Sequence, residues 1–207
     1  VKQIDMTEII GRIHKVEGFL EEWEMITLFL LPSMVDEIEG QIVEIGTWMG
    51  KSAICLGLGS QYVSRKKKKI VTIDTFDCRG RFGSLKREST LEEFKTNISQ
   101  FELTDRVDCI IGDSRLVKDQ VTDPISLLFI DGDHSFEGVW NDIKNYSEKI
   151  SEGGLIVFHD YGYPGEPDVA KVVDQFLDRN PAYEKLMQCK TMLVIRKSVR
   201  SQEDIIP

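Results

Sequence analysis

The chain has 207 residues, 41% of them hydrophobic and 29% charged, with a formal net charge of −9. Those values fit one globular domain with a full core, needing neither disulfide nor metal as a staple. The acidic balance argues against nucleic acid and anionic membrane surfaces as partners, because both would repel the protein.

In chain order, residues 5–20 place Met6, Ile9, Ile10, Ile13, Val16 and Leu20 at helical spacing, and residues 22–38 read as a second helix, apolar on nearly every side. Both are expected to cap the domain, with residues 1–38 as an N-terminal helical cap. Gln41–Ile45 is short and apolar, as a buried parallel strand should be, and a helix over about 50–63 follows. Ile70–Asp74 reads as the second strand. The Gly-, Arg- and Ser-rich segment after it is expected to be a long loop, of the kind that covers binding sites. Thr90-x-x-Glu93 has the form of a capping box, ahead of an apolar stripe of Leu91, Phe94, Ile98 and Phe101. Arg106–Ile111 is the third strand, closed by Gly112-Asp113-Ser114. Ile125–Asp131 is the fourth, and the loop after it leads through Ser135, a plausible N-cap, into a helix with Phe136, Val139, Trp140, Ile143 and Tyr146 facing the core. Gly153-Gly154 is read as a turn into the fifth strand, Leu155–Phe158, which ends at His159-Asp160. A helix over about 168–179 and strands over 183–187 and 191–196 finish the chain, the strands as a hairpin at the sheet edge. Five strand–helix alternations predict an α/β, doubly wound, Rossmann-like sandwich, with residues 39–200 as the main domain and 201–207 as a tail.

Several features are read as structural. Cys55, Cys78, Cys109 and Cys189 lie far apart with no C-x-x-C pair, and Cys55 and Cys109 fall in apolar elements, so reduced thiols and a cytoplasmic location are expected. Trp23–Leu31 is too short for a membrane span, which takes roughly 20 residues. The basic run Arg65–Lys69 reads as a solvated loop, and core packing is the expectation for Trp23, Trp48 and Trp140. The start at Val1 suggests a piece of a longer sequence, which leaves an upstream targeting signal open.

The stretch VEIGTWMGKS, residues 43–52, runs from a strand through a glycine turn into a helix. Gly46 and Gly50 allow a tight turn and a close approach of ligand to backbone N–H groups. A P-loop needs four residues between its glycines, and here there are three. The dinucleotide pattern G-x-G-x-x-G fails at Trp48. The remaining match is E-x-G-x-x-x-G, with Lys51 an incidental echo of a P-loop.

Ligands of such a sheet bind beyond the carboxyl ends of the strands. The candidate residues fall there: Glu44 and Gly46 on the first strand, Asp74 on the second, Asp113 on the third, Asp131, Asp133 and His134 on the fourth, His159 and Asp160 on the fifth.

With those residues in place, the chain from about residue 38 to 197 resembles the class I S-adenosylmethionine-dependent methyltransferases. VEIGTWMGKSA, VTIDTF, IIGDS, FIDGDHSFEGV and GGLIVFHDY are similar to the cation-dependent small-molecule O-methyltransferases. GDHSFEG and FHDY resemble the branch of antibiotic-sugar O-methyltransferases and the cephalosporin-biosynthesis type. The resemblance implies a seven-stranded, mostly parallel sheet with an antiparallel last strand. It further implies that Glu44, Gly46, Thr47 and Ser52 hold the methionine part of S-adenosyl-L-methionine, Asp74 the ribose hydroxyls, and Asp113 with Ser114 the adenine end, with Asp131 also beside the cofactor.

By the same resemblance a divalent metal, Mg²⁺ or Mn²⁺, is expected at Asp131, His159 and Asp160, with Asp133 or His134 as the base. The family usually has two acids where this chain has His159-Asp160, and an imidazole there would shift preference from Mg²⁺ toward Mn²⁺, Fe²⁺ or Zn²⁺. The implied reaction is methyl transfer to a small-molecule hydroxyl of sugar or phenol type, without nucleic-acid or membrane partners and compatible with a homo-oligomer. A non-catalytic module that binds S-adenosylmethionine or a nucleotide is the alternative.

Overall fold

The computed structural model describes residues 5–78, 88–121 and 124–199. Helices α1 (Met6–Ile13) and α2 (Glu22–Met34) come first. They precede β1 (Gln41–Ile45), α3 (Lys51–Tyr62), β2 (Ile70–Asp74), α4 (Leu91–Gln100), β3 (Val107–Ile111), α5 (Ser114–Val117) and β4 (Ile125–Ile130). After these come α6 (Phe136–Tyr146), β5 (Ile150–Phe158), α7 (Pro167–Arg179), β6 (Tyr183–Cys189) and β7 (Met192–Lys197). The strands make one seven-stranded sheet in the order β3-β2-β1-β4-β5-β7-β6. Only β7 runs against its neighbours, pairing antiparallel with β5 and β6. The Rossmann-like α/β sandwich expected from the alternation of elements is therefore the fold.

Side chains alternate across a strand, and the two faces of the sheet feed two cores. Ile42, Ile70, Leu127, Phe129, Leu155 and Val157 join α1 to α4 on one side. Val43, Ile45, Ile73, Leu128, Ile130, Ile156 and Phe158 meet α6 and α7 on the other. Burial on both faces explains why the central strands read as unbroken apolar runs. Among the described residues no helix is long and apolar enough to cross a membrane.

Several local expectations are corrected. The first helix stops at Ile13, and residues up to Glu21 cross the domain without helix, still burying Val16 and Leu20; Gly18 weakens any continuation of the helix. Gly153-Gly154 lies inside β5, where the pairing jumps from Ile125↔Ile150 to Leu127↔Leu155 as a bulge. Thr90 caps α4 without a side-chain bond; the Leu91 N–H donates to Ser89 Oγ instead. The capping box belongs to α2, between Glu21 and Glu24. Ser135 caps α6 as expected, its Oγ accepting from the Gly138 N–H. Trp23 is 61% exposed, because α2 buries only one of its apolar faces. Cys109 is exposed, since β3 is an edge strand with mostly open faces, and all four cysteines are free thiols. The basic run is largely exposed, though Lys68 Nζ donates to the Ile38 and Gly40 carbonyls. Most of the expected covering loop, residues 79–87, and the tail 201–207 lie outside the described residues.

The cap is seated by a close helix contact. A Cβ on Gly59 of α3 would lie 2.1 Å from the Phe29 carbonyl oxygen of α2, whereas one on Gly57 would meet the tip of the Leu103 side chain at 2.9 Å. Gly59→Ala is expected to cost roughly 1–3 kcal/mol of stability by forcing backbone apart. Gly57→Ala should cost clearly less, as a leucine tip can rotate. Urea unfolding of the two variants tests this, and equal losses would contradict it.

Candidate active site

The sheet brings the carboxyl ends of β2, β1, β4 and β5 side by side. Strand order reverses between β1 and β4, so the helices that follow them leave on opposite faces and a crevice opens between them. Gly46, at φ +81°, crosses so near the end of β4 that a Cβ would lie 2.1 Å from the Asp131 carbonyl oxygen. Only glycine fits there. The Asp131 N–H donates to the Ile45 carbonyl and the His159 N–H to the Ile130 carbonyl, which fixes the spacing of the ends.

A cavity of about 290 Å³ fills the crevice. Its walls include Gly46, Thr47, Trp48, Lys51, Ser52, Asp74, Asp113, Ser114, Asp131, Asp133, His134 and Asp142, with Glu17–Leu20 of the cap on one side. Trp48, expected in the core, is half-buried in this wall and tilts against Phe19. Glu44 is wholly buried behind the wall. Among the described residues no well-aligned hydrogen bond reaches either carboxyl oxygen of Glu44 or the Thr47 hydroxyl, although the Ser52 and Thr47 hydroxyls lie near that carboxyl. Burial pushes the Glu44 carboxyl up to about 8; the nearby Ser52 and Thr47 hydroxyls oppose the rise, and the charges of Asp131 and Asp74 add to it.

Asp74 accepts three backbone N–H bonds, from Thr47 at 2.8 Å, Trp48 at 2.9 Å and Phe76 at 2.7 Å. It therefore holds the turn after β1 in shape, and a carboxylate with about four acceptor sites keeps one for a ligand. Asp113 caps α5 through the Arg115 N–H and is paired with the Arg115 guanidinium, which holds its carboxyl below the usual range. Ser114 Oγ donates to Asp142 at 2.6 Å. Asp142, unmarked by the sequence reading, is pushed up to about 6 by burial.

At the other end of the cleft, His134 Nε2 lies 3.1 Å from Asp131 Oδ1 and 3.1 Å from Asp160 Oδ2. These three side chains offer ligand atoms within 4.8 Å of one another. Burial disfavours a charged His134, but the two carboxylates push it up to about 9. His159 lies between the cap and the cluster: its Nε2 meets Glu24 Oε2 of α2 at 3.3 Å, and its Nδ1 lies 3.2 Å from Asp131 Oδ1 and 3.5 Å from Asp160 Oδ2 without the alignment of a hydrogen bond. Burial again opposes the charge, and the surrounding Asp131, Asp160 and Glu24 carboxylates push His159 up to about 12. Glu24, 1% exposed, also accepts from the Thr191 N–H and hydroxyl and from the Glu21 N–H. The ligand set implied by resemblance and the cluster gathered by geometry thus share Asp131 and Asp160 and differ in the imidazole. Asp133 is exposed at the rim, its Oδ1 accepting from the Ser135 N–H.

The sequence reading did not mark Glu24 or Asp142, and it set Lys51 aside. Glu24 carried one usable signal, an acid inside an otherwise apolar helix. Its partner His159 lies 135 positions away.

A family model described as a methyltransferase domain matches residues 43–161. An uncharacterized protein of Acanthamoeba polyphaga mimivirus is 30% identical over 137 residues, covering 65% of this chain and 58% of that protein. The chain thus spans little more than half the length of that relative. Among solved structures, the O-methyltransferase NovP is similar with a TM-score of 0.73 at 20% identity, over 86% of this chain and 81% of that one. An O-methyltransferase from Bacillus cereus in complex with SAH gives a TM-score of 0.65 at 18% identity, over 95% and 93%.

Glu44 makes the ligand-free protein sensitive to pH. A carboxyl raised in the folded state from 4.5 to about 8 stabilises the fold fully below 4.5, and that contribution is lost as pH rises through about 8. Glu44→Gln, which cannot ionise, should melt higher than wild type at pH 8 by a margin that shrinks toward pH 5. A margin independent of pH would show that Glu44 is not the group responsible.

Proposed function

The chain belongs to the methyltransferase-domain family, and on that footing we propose that it is an S-adenosylmethionine-dependent methyltransferase acting on the hydroxyl of a small molecule. The observation that carries this reading is one cleft with two kinds of equipment. One side has hydroxyls and acids left open to a polar ligand, and the other has a histidine held between two carboxylates. The SAH in the Bacillus cereus structure's name supports the choice of cofactor. A cytoplasmic location and the absence of nucleic-acid partners are part of the proposal, supported by the free cysteines and the net charge.

When bound, S-adenosylmethionine supplies an electrophilic methyl group on a positively charged sulfur. The residues fit it. The Thr47 and Ser52 hydroxyls, backed by Glu44, suit its methionine end. The remaining acceptor site of Asp74 suits a ribose hydroxyl, and Asp113 with Ser114 the adenine end. The turn at Gly46 lets the ligand lie against backbone, and the alignment this gives is worth several kcal/mol in transfers of this kind.

Asp131, His134 and Asp160 would hold a divalent ion, which lowers the pKa of a hydroxyl bound to it. Two oxygens and one nitrogen favour Mn²⁺ or Fe²⁺ over Mg²⁺. In the ligand-free protein the Asp131 and Asp160 carboxylates favour the charged form of His134, and holding an ion would commit its ring nitrogen, so His134 is not assigned as the base. Asp133, at the rim with one carboxylate oxygen uncommitted among the described residues, is the general base in this proposal.

Calorimetry with S-adenosylhomocysteine and with ATP tests the cofactor. The former should bind and the latter should not, and the reverse would refute the reading and favour a nucleotide-binding module. Turnover of S-adenosylmethionine against a panel of sugars and phenols tests the metal. It should fall at least about ten-fold in EDTA and in Asp131→Asn, and recover in EDTA-treated wild type with Mn²⁺ better than with Mg²⁺. Full activity in EDTA would remove the metal from the mechanism.

A further inference from the structure

Glu24 stands outside the residues matched by the family model, yet its carboxylate is buried in the domain and fixed there by donors. Its Oε1 accepts from the Thr191 N–H at 3.2 Å and the Thr191 hydroxyl at 2.8 Å, and its Oε2 accepts from the Glu21 N–H at 3.0 Å. The Thr191 carbonyl in turn accepts from the Tyr161 N–H at 2.7 Å, so α2, the turn between β6 and β7 and the chain just after β5 are tied at one point. An acid bonded on both oxygens in the interior has little freedom to move.

That fixed carboxylate sets the ring of His159. A carboxylate accepts hydrogen bonds and donates none, so the 3.3 Å contact of Glu24 Oε2 with His159 Nε2 puts a proton on Nε2. The Phe129 ring meets the imidazole edge-on, with centroids 6.3 Å apart at 67°, and limits its rotation. Nδ1 is then the nitrogen left facing the strand ends, 3.2 Å from Asp131 Oδ1 and 3.5 Å from Asp160 Oδ2, without an aligned hydrogen bond in a residue only 4% exposed. The same two oxygens lie 3.1 Å from His134 Nε2. Separations of this size suit donor atoms that share one ion, and nitrogen and oxygen donors together suit a transition metal.

We propose that Glu24 is a positioning residue for the metal cluster: it holds His159 by Nε2 and thereby presents Nδ1 to an ion shared with Asp131 and Asp160. The assignment rests on the metal part of the function proposed above and adds to it the cap residue that orients the cluster. An ion arriving there displaces a proton from Nδ1 to solvent, because the proton on Nε2 is committed to Glu24. A carboxylate behind a ligating imidazole fixes its tautomer and raises its basicity, and its loss typically costs about 10–100-fold in metal affinity.

The test titrates the full chain with Mn²⁺ by calorimetry. Glu24→Gln keeps the size of the side chain and removes its charge; it should weaken Mn²⁺ binding by about ten-fold or more and leave S-adenosylhomocysteine affinity unchanged. In a His159→Asn background the same substitution should have no further effect on Mn²⁺, since the ring it acts through is gone. Unchanged Mn²⁺ affinity in Glu24→Gln, an equal loss with and without the His159 ring, or an equal loss for S-adenosylhomocysteine overturns the assignment and reduces Glu24 to a structural tie. A measurement on wild type needs no substitution: long-range ¹H–¹⁵N NMR of the Zn²⁺-loaded protein should show the His159 proton on Nε2 and Nδ1 bound to the ion. A proton on Nδ1 overturns the assignment and leaves the metal reading standing. If wild type binds neither Mn²⁺ nor Zn²⁺, the metal reading fails and takes the assignment with it.

Discussion

The structure depends on how closely four parallel strands end together. The crossing of Gly46 over the Asp131 carbonyl leaves no room for a side chain, so the chain after β1 must turn at once and enter α3. The same crowding recurs along the row. Trp48, Phe76 and Asp160 all adopt positive φ, at 51°, 52° and 56°, just beyond β1, β2 and β5. Such conformations cost side-chain-bearing residues free energy and persist only where surroundings enforce them. Here the enforcement includes Asp74, whose carboxylate accepts N–H bonds from both the β1 turn and its own. One acid thereby shapes the floor of the cleft before any ligand arrives.

Much of this was legible in the chain. β1 and β2 are bounded where the apolar runs are, because strands buried on both faces leave no polar position to blur their limits. The acids at the strand ends were legible too, since a parallel sheet places every carboxyl end on one edge. What stayed hidden required knowing which distant residue a side chain meets. The Glu24–His159 contact joins the cap to the fifth strand across most of the sequence. Sequence spacing places His159 and Asp160 at the same strand end but does not say that one ring faces the cap while the other side chain faces His134. The first helix was over-extended for a related reason: Val16 and Leu20 kept helical spacing, but a chain crossing a surface in irregular conformation also buries apolar residues.

Charge organises the cleft as firmly as geometry. A net charge of −9 leaves many acids, and several are gathered around one cavity, where mutual repulsion would ordinarily raise their pKa values. The protein divides them. Asp113, Asp131 and Asp160 each have a cationic neighbour and are held low. Glu44 and Asp142 have none so placed and are held high. Carboxyls of lowered and of raised pKa thus stand close together, Asp142 in the wall of the cavity and Glu44 buried behind it.

The cap completes this arrangement. Glu24 of α2 and Gly18 of the segment before it lie outside the residues matched by the family model, yet they hold His159 and Lys51, which lie inside it. A buried carboxylate–imidazole pair contributes little net stability, but losing one partner strands the other charge in the interior. Removing Glu24 would leave His159 facing Asp131 without its counterweight, so the surroundings of Asp131 depend on a helix that packs on the sheet but adds no strand to it. Substitutions in the cap can therefore alter the reactive cluster through two buried contacts. The same segment, Glu17–Leu20, walls the cavity, so changes there that reshape the pocket for a new acceptor also act on the groups that process it.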